Sequence, residues 1–269
     1  MPDLAVVDMN SASAYDALAT GFERQRTLPA GVPQSVRAAV IAELAHAGRR
    51  RVLDLGAGSG RFGWPFIAAG DDYVGIDHSA GMLRTFAQRY VGQSLPALVQ
   101  ADGRALPFAA TCFELVLLIA VFGDLPDWRP LVDEARRVLR PGGMIAIGRT
   151  ALPDDGIDAR LKERLEILVD ERMSQQPRKS GRQRAAQYLA ATASTMTELV
   201  AASWTAERSP RQFLDRHAGG ARFSRLPLPI REDALRTLAA WAQTQFGSLD
   251  TTFVEAHRFE MQLFKFHEG

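Results

Sequence analysis

The chemistry of this chain is concentrated in the run Val52-Leu53-Asp54-Leu55-Gly56-Ala57-Gly58-Ser59-Gly60. Closely spaced glycines let a chain turn sharply off a strand and let a ligand approach the backbone without a Cβ in the way. A helix beginning after such a turn presents unpaired N–H groups. Two more acids follow in similar settings, one at Val74-Gly75-Ile76-Asp77 and one at Ala101-Asp102-Gly103. Asp77 lies about 20 residues beyond the first glycine, a spacing that suits acceptance from ribose hydroxyls; it and Ser79 also suit a helix N-cap. Asp102 suits acceptance from an adenine amine beside a backbone N–H, and Asp-Gly is also ordinary turn chemistry. Asp54 either stabilises its turn or attracts a cation.

Gly58-Ser59-Gly60-Arg61-Phe62-Gly63 matches the dinucleotide fingerprint G-x-G-x-x-G letter for letter. Its first glycine lies four residues past Asp54, late for a turn directly off the strand. A carboxylate beside a diphosphate is repelled, whereas beside an ammonium it is attracted.

These residues need a scaffold that brings strand ends together. From 51 to 150 the chain reads as strand, turn and helix in repetition. Strands are expected at 51–55, 73–76, 97–100, 113–120 and 144–148, the fourth apolar enough to be covered on both faces. Helices are expected at 61–69, with Pro65 in the first turn, at 80–90 capped by Ser79, and at 127–139, ended by Pro141-Gly142-Gly143. The pattern predicts an α/β doubly wound, mostly parallel sheet with right-handed crossovers and its ligand at the carboxyl ends of the strands. A helix at 35–47 precedes it. Helices at 158–173, 182–192, one opening at Ser209-Pro210, and 231–246 follow, with a strand at 197–205 and a terminal strand at 258–266. The implied organisation is an N-terminal lid (1–34), a Rossmann-like core (35–150), a helical cap with one inserted sheet strand (151–250) and a returning strand (251–269).

The 269 residues, 46% hydrophobic and 23% charged, have globular composition, and the net charge of +1 argues against a dedicated nucleic-acid binder. The single cysteine, Cys112, excludes an internal disulfide, fits a reducing cytoplasm, and is expected to be buried. The first residues lack the pattern of a targeting signal, and the longest apolar run, 115–122, is too short to span a bilayer.

With Leu139-Arg140-Pro141-Gly142-Gly143 as a fourth motif in order, the chain resembles the class I S-adenosylmethionine-dependent methyltransferases, closest to the group that includes the quinone-biosynthesis C-methyltransferases. The resemblance covers about 35–150 and the terminal strand. It implies a seven-stranded sheet with an antiparallel last strand and S-adenosylmethionine as cofactor. It implies binding by Asp54, Gly56, Ala57, Gly58 and Gly60 at the methionine end, Asp77 at the ribose, and Asp102 with Gly103 at the adenine. It further implies that His78, Met82 and Ile119 flank the cofactor. Many relatives carry a histidine after the fourth strand where this chain has Gly123, which leaves Asp124 as the nearby polar group.

Methyl transfer from a sulfonium is an in-line displacement that rests on alignment and exclusion of water. It requires no triad and no metal, and neither is evident. The expected acceptor is a small organic molecule; methylation of RNA or protein, a nicotinamide-dependent oxidoreductase and a non-catalytic cofactor-binding protein are the alternatives. No catalytic residue is assigned. The candidates are His217, which also suits a helix C-terminus, Asp124, and Tyr15, with Phe22 and Arg26 on the same lid. His46, His257 and His267 are expected at surfaces. The basic run Arg178, Lys179, Arg182, Arg184 reads as a solvated loop or an anion contact. Trp204, Phe213, Phe223 and Trp241 read as core ahead of an acceptor pocket. The acceptor, the attacking atom and the oligomeric state are not legible.

Overall fold

In a computed structural model, residues 28–44, 50–90, 95–122, 125, 127–173, 181–218, 223 and 226–267 are described. The described elements run α1 (Val32–Ala42), β1 (Arg51–Leu55), α2 (Trp64–Ala68), β2 (Asp72–Asp77), α3 (Ala80–Gln88), β3 (Ala97–Gln100), β4 (Phe113–Ile119), α4 (Arg129–Val138), β5 (Leu139–Ala151), α5 (Ile157–Met173), α6 (Gly181–Ala190), β6 (Thr195–Arg208), α7 (Pro210–Ala218), α8 (Leu228–Phe246) and β7 (Phe253–Lys265). The strands form one seven-stranded sheet in the order β3-β2-β1-β4-β5-β7-β6. The first five are parallel to one another, and β7 is antiparallel to both β5 and β6. The strand order reverses between β1 and β4, so their carboxyl ends flank the crevice where such sheets bind ligands.

Alternate residues of each strand feed opposite faces. Leu53, Leu55, Val74, Ile76, Val116 and Leu118 join one core cluster with residues of α4 and α6. Val52, Tyr73, Leu115 and Leu117 join the other, with residues of α1, α2 and α3. The apolar run of β4 is thus buried from both sides. A third cluster unites α5, α7 and α8 through Leu161, Leu165, Leu168, Phe213, Ala234 and Leu238. Phe213 and Phe223 are buried within it, and Trp241 packs against it. Trp204 is half-buried on β6.

Boundaries differ where turn geometry overrides helical periodicity. The helix expected at 61–69 shrinks to Trp64–Ala68, because Gly58 and Gly60 hold positive φ and delay it. The strand expected at 144–148 begins at Leu139. Leu139 pairs with Phe113 and Met144 with Leu115, so Arg140-Pro141-Gly142-Gly143 is accommodated as an irregularity in the ladder, with Gly142 at φ +71°. The last strand begins at Phe253, not 258, because β6 runs on to Arg208 and pairs with it throughout. Helix α1 starts at Val32, with Pro33 in its first turn. Cys112 is half-buried, its thiol 3.7 Å from the Ala110 carbonyl.

Of the three histidines expected at surfaces, His267 is exposed and His46 lies outside the described residues. His257 is a correction: it is 1% exposed. Its strand face is the inward one, shared with Phe259, Met261 and Leu263, and the Trp204 ring stands edge-on at 5.7 Å. Among the described residues no helix is long and apolar enough to cross a membrane, and no group of three or more His, Cys, Asp or Glu is placed to hold a metal ion.

Candidate cofactor site at the strand tips

The chain leaving β1 turns back on itself through its own amides. The N–H groups of Gly56 and Ala57 both donate to the Ile76 carbonyl at 2.8 Å, that of Gly60 donates to the Ala57 carbonyl at 3.0 Å, and that of Gly58 donates to Asp77 Oδ2 at 2.8 Å. Gly56, Gly58 and Gly60 hold φ of +87°, +56° and +83°. Two of them also lack room: a Cβ on Gly56 would meet Val121 Cγ1 at 2.3 Å, and one on Gly60 would meet the Phe86 ring at 2.3 Å. Gly58 has no atom within 4 Å of a built Cβ, so its Cα faces open space.

Asp77 ties the turn together. Its Oδ1 accepts from the Ser79 N–H at 2.8 Å while Oδ2 holds Gly58. Ser79 caps α3 as expected, its Oγ accepting from the Met82 N–H at 3.1 Å. The buried side chain of Met82 and the exposed His78 flank this corner. The two readings of Asp77 and Ser79 thus divide between them: Ser79 is the cap, and Asp77 is the half-buried carboxylate at the strand tip.

Asp54 is 3% exposed and receives the Tyr73 hydroxyl on Oδ2 at 2.8 Å. Burial pushes its pKa from the ordinary 3.8 up to about 7; the Tyr73 bond opposes the rise and the Asp77 charge adds to it. Burial and the Asp54 charge hold the Tyr73 hydroxyl well above its usual value. Asp102 sits at the exposed edge. It accepts from Arg104 Nε at 3.0 Å and Nη2 at 2.7 Å, and from the Arg104 backbone N–H at 2.9 Å, and this guanidinium holds its carboxyl below the usual range. Gly103 lies against Leu55, a Cβ there falling 3.1 Å from Leu55 Cδ1. Ile119 closes β4, and Ala120 beyond it holds φ +60°, a conformation costly for a residue with a Cβ.

The structure therefore gathers Asp54, the glycine turn and Asp77 around adjoining strand ends, with Asp102 and Gly103 just beyond β3. Of the catalytic candidates, Tyr15 and Asp124 lie outside the described residues, as do Phe22, Arg26, Gly123, Arg178 and Lys179. His217 Nδ1 lies 2.8 Å from the Phe213 carbonyl one turn back, and its ring stacks on the Phe213 ring at 3.9 Å. That matches the helix-terminal role. Sequence reasoning missed Tyr73, whose contact with Asp54 follows from the parallel pairing of β1 and β2, and Ala120, which nothing in its residue type marks. It also missed the buried pair Glu255–His257, 3.1 Å apart. Glu255 Oε1 accepts from the Ile157 N–H at the start of α5.

Comparison with known proteins gives the following. Residues 53–147 match a family described as a methyltransferase domain. The demethylmenaquinone methyltransferase of Clavibacter sepedonicus is 32% identical over 152 residues, 56% of this chain and 62% of that protein. The malonyl-[acyl-carrier protein] O-methyltransferase of Methylococcus capsulatus is 32% identical over 137 residues, 49% of this chain and 48% of that protein. The chain thus spans less than two thirds of the length of these relatives. Among solved structures, the YcgJ protein of Bacillus subtilis superposes with a TM-score of 0.56 at 20% identity, covering 87% of this chain and 99% of that one, a likeness of fold.

Proposed function

We propose, for a chain whose residues 53–147 match a family described as a methyltransferase domain, that the protein transfers a methyl group from S-adenosylmethionine to a small organic acceptor. The observation that carries this reading is the state of the glycine turn. The amides of Gly56, Ala57, Gly58 and Gly60 are all bonded within the protein, one of them to a carboxylate. A diphosphate needs such N–H groups unengaged at a helix N-terminus, and here it would meet the Asp77 carboxylate in their place. A cationic amino-acid nucleoside suits the same surroundings, since a carboxylate attracts an ammonium and a half-buried Asp77 suits a ribose diol. The open space over Gly58 lets a ligand approach the backbone closely.

In this reading the backbone at Gly56 to Gly60 and the Asp54 carboxylate hold the methionine end. Asp77 orients the ribose, and Asp102 with Gly103 receives the adenine. The Asp102–Arg104 pair is exposed, and opening such a pair costs only about 0–1 kcal/mol. His78, Met82 and Ile119 wall the nucleoside. The bound cofactor supplies an electrophilic methyl group on a sulfonium. The chain supplies alignment and exclusion of water, with the acceptor entering over the tips of β4 and β5 beside the helices that follow β5.

Calorimetric titration with S-adenosylhomocysteine and, separately, NADH tests this. Binding of S-adenosylhomocysteine is expected, weakened about tenfold or more in Asp77→Ala, since one lost charge-assisted bond is worth roughly 1.5–3 kcal/mol. NADH binding without S-adenosylhomocysteine binding overturns it.

A further inference from the structure

The start of α4 and the outer face of α6 flank an open surface cleft of about 540 Å³ lined by Asp127, Trp128, Arg129, Arg184, Gln187 and Tyr188. Three features favour negative charge there. First, Arg129 and Arg184 make no ion pair among the described residues, yet both lie over one indole: their guanidinium carbons are 5.8 and 5.6 Å from the Trp128 ring centroid. Arg129 also lies 4.8 Å over the Tyr188 ring. Second, a guanidinium carries a planar fork of donors, the geometry that grips a carboxylate or phosphate with two bonds. Third, the 10-residue α4 opens on this cleft with no side-chain cap at Trp128 and no acid in its first turn. Its positive end is therefore not neutralised from within the helix.

One carboxylate, Asp127, lines the cleft against these two cations, and its field also reaches Arg104. The nearby Asp133 is engaged by the Tyr188 hydroxyl at 2.8 Å. The aromatic pair itself is rigid: the Trp128 and Tyr188 rings meet edge to face at 5.6 Å, and Trp128 is buried. The aromatic wall of the cleft is thus ordered before a ligand arrives, which lowers the entropy lost on binding.

We propose that this cleft is a binding site for a small molecule bearing an oxyanion, a carboxylate or a phosphate group, gripped by Arg129 and Arg184. The site stands on its own chemistry and does not require methyl transfer. Titration of the whole protein with pyrophosphate and with benzoate, at constant ionic strength, tests it and separates the two anion types. Saturable binding of at least one is expected, weakened about tenfold or more in Arg129→Gln and in Arg184→Gln. Arg160→Gln should leave it unchanged, because Arg160 lies over Phe246 in the helical cluster. All three variants should bind S-adenosylhomocysteine as the parent does, which shows that they are folded; failure of the parent itself to bind that ligand would indict the cofactor reading and not the cleft. Absence of saturable binding by either anion, or wild-type affinity in both cleft variants, overturns the proposal.

Discussion

At the scale of single residues, Asp54 carries the sharpest consequence. Its carboxyl is buried, and its pKa stands at about 7 against an ordinary 3.8. The folded protein therefore holds a proton that the unfolded chain has released, across roughly pH 4 to 7. The stability contributed by this group is full below pH 4 and is lost as pH rises through 7. Asp54→Asn should flatten that part of the profile of unfolding free energy against pH, measured by urea titration; an unchanged slope would mean that Asp54 is ionised in the folded state. A cation brought near a carboxylate lowers its pKa. Binding of S-adenosylhomocysteine near pH 6.5 should accordingly release part of a proton, seen as a buffer-dependent heat that vanishes in Asp54→Asn. Gly60 presents a steric prediction. A methyl there meets the Phe86 ring in a backbone conformation disfavoured for L-residues. Gly60→Ala should lose about 2–4 kcal/mol of stability, the sum of roughly 1–2 for the conformation and 1–3 for overpacking, less relaxation.

At the scale of elements, helix ends position the site. Ser79 caps α3 at the corner where Asp77 receives two amides. Ser79→Ala should cost about 1 kcal/mol and weaken S-adenosylhomocysteine binding modestly, because the corner loses order. At the other end of the sheet, Glu255 receives the first amides of α5 and also touches His257. Removing one partner from such a buried set leaves the others unsatisfied. Glu255→Ala should therefore lower the midpoint of urea unfolding far more than Asp250→Ala, which breaks only an exposed pair with Arg211. Equal effects would mean that α5 does not depend on this cap. Asp77 and Ser79, Asp102 and Gly103 were all legible as strand-end residues, because strand, turn and helix alternate at short range. Tyr73 and Glu255 were not legible, because their partners lie 19 and 98 residues away and are chosen by register and topology.

At the scale of the whole molecule, stability should be graded from the sheet centre outward. β1 and β4 are flanked on both sides and buried on both faces, whereas β3 and β6 are edges with partly exposed residues. Native-state hydrogen exchange should be slowest in β1 and β4 and faster in β3 and β6, since edge ladders open without global unfolding. Uniform protection across all strands would contradict this. The helical cluster of α5, α7 and α8 has its own apolar interior, so its amides should exchange as a group distinct from β1 and β4.

What the sequence determined alone is what short-range rules govern. The glycine turn, the three acids after successive strands, the cap on α3, the parallel core and the terminal strand follow from hydrophobic period, turn chemistry and motif order. Those signals act over a few residues and survive without knowledge of the fold. Tertiary structure decided which charges survive as charges. It buried Asp54 under Tyr73, spent the loop amides on Ile76 and Asp77, drew His257 into the interior, and set Arg129 and Arg184 over one indole from helices 55 residues apart. Solvation and neighbouring fields set these outcomes, and both depend on which distant segments come to lie against each group.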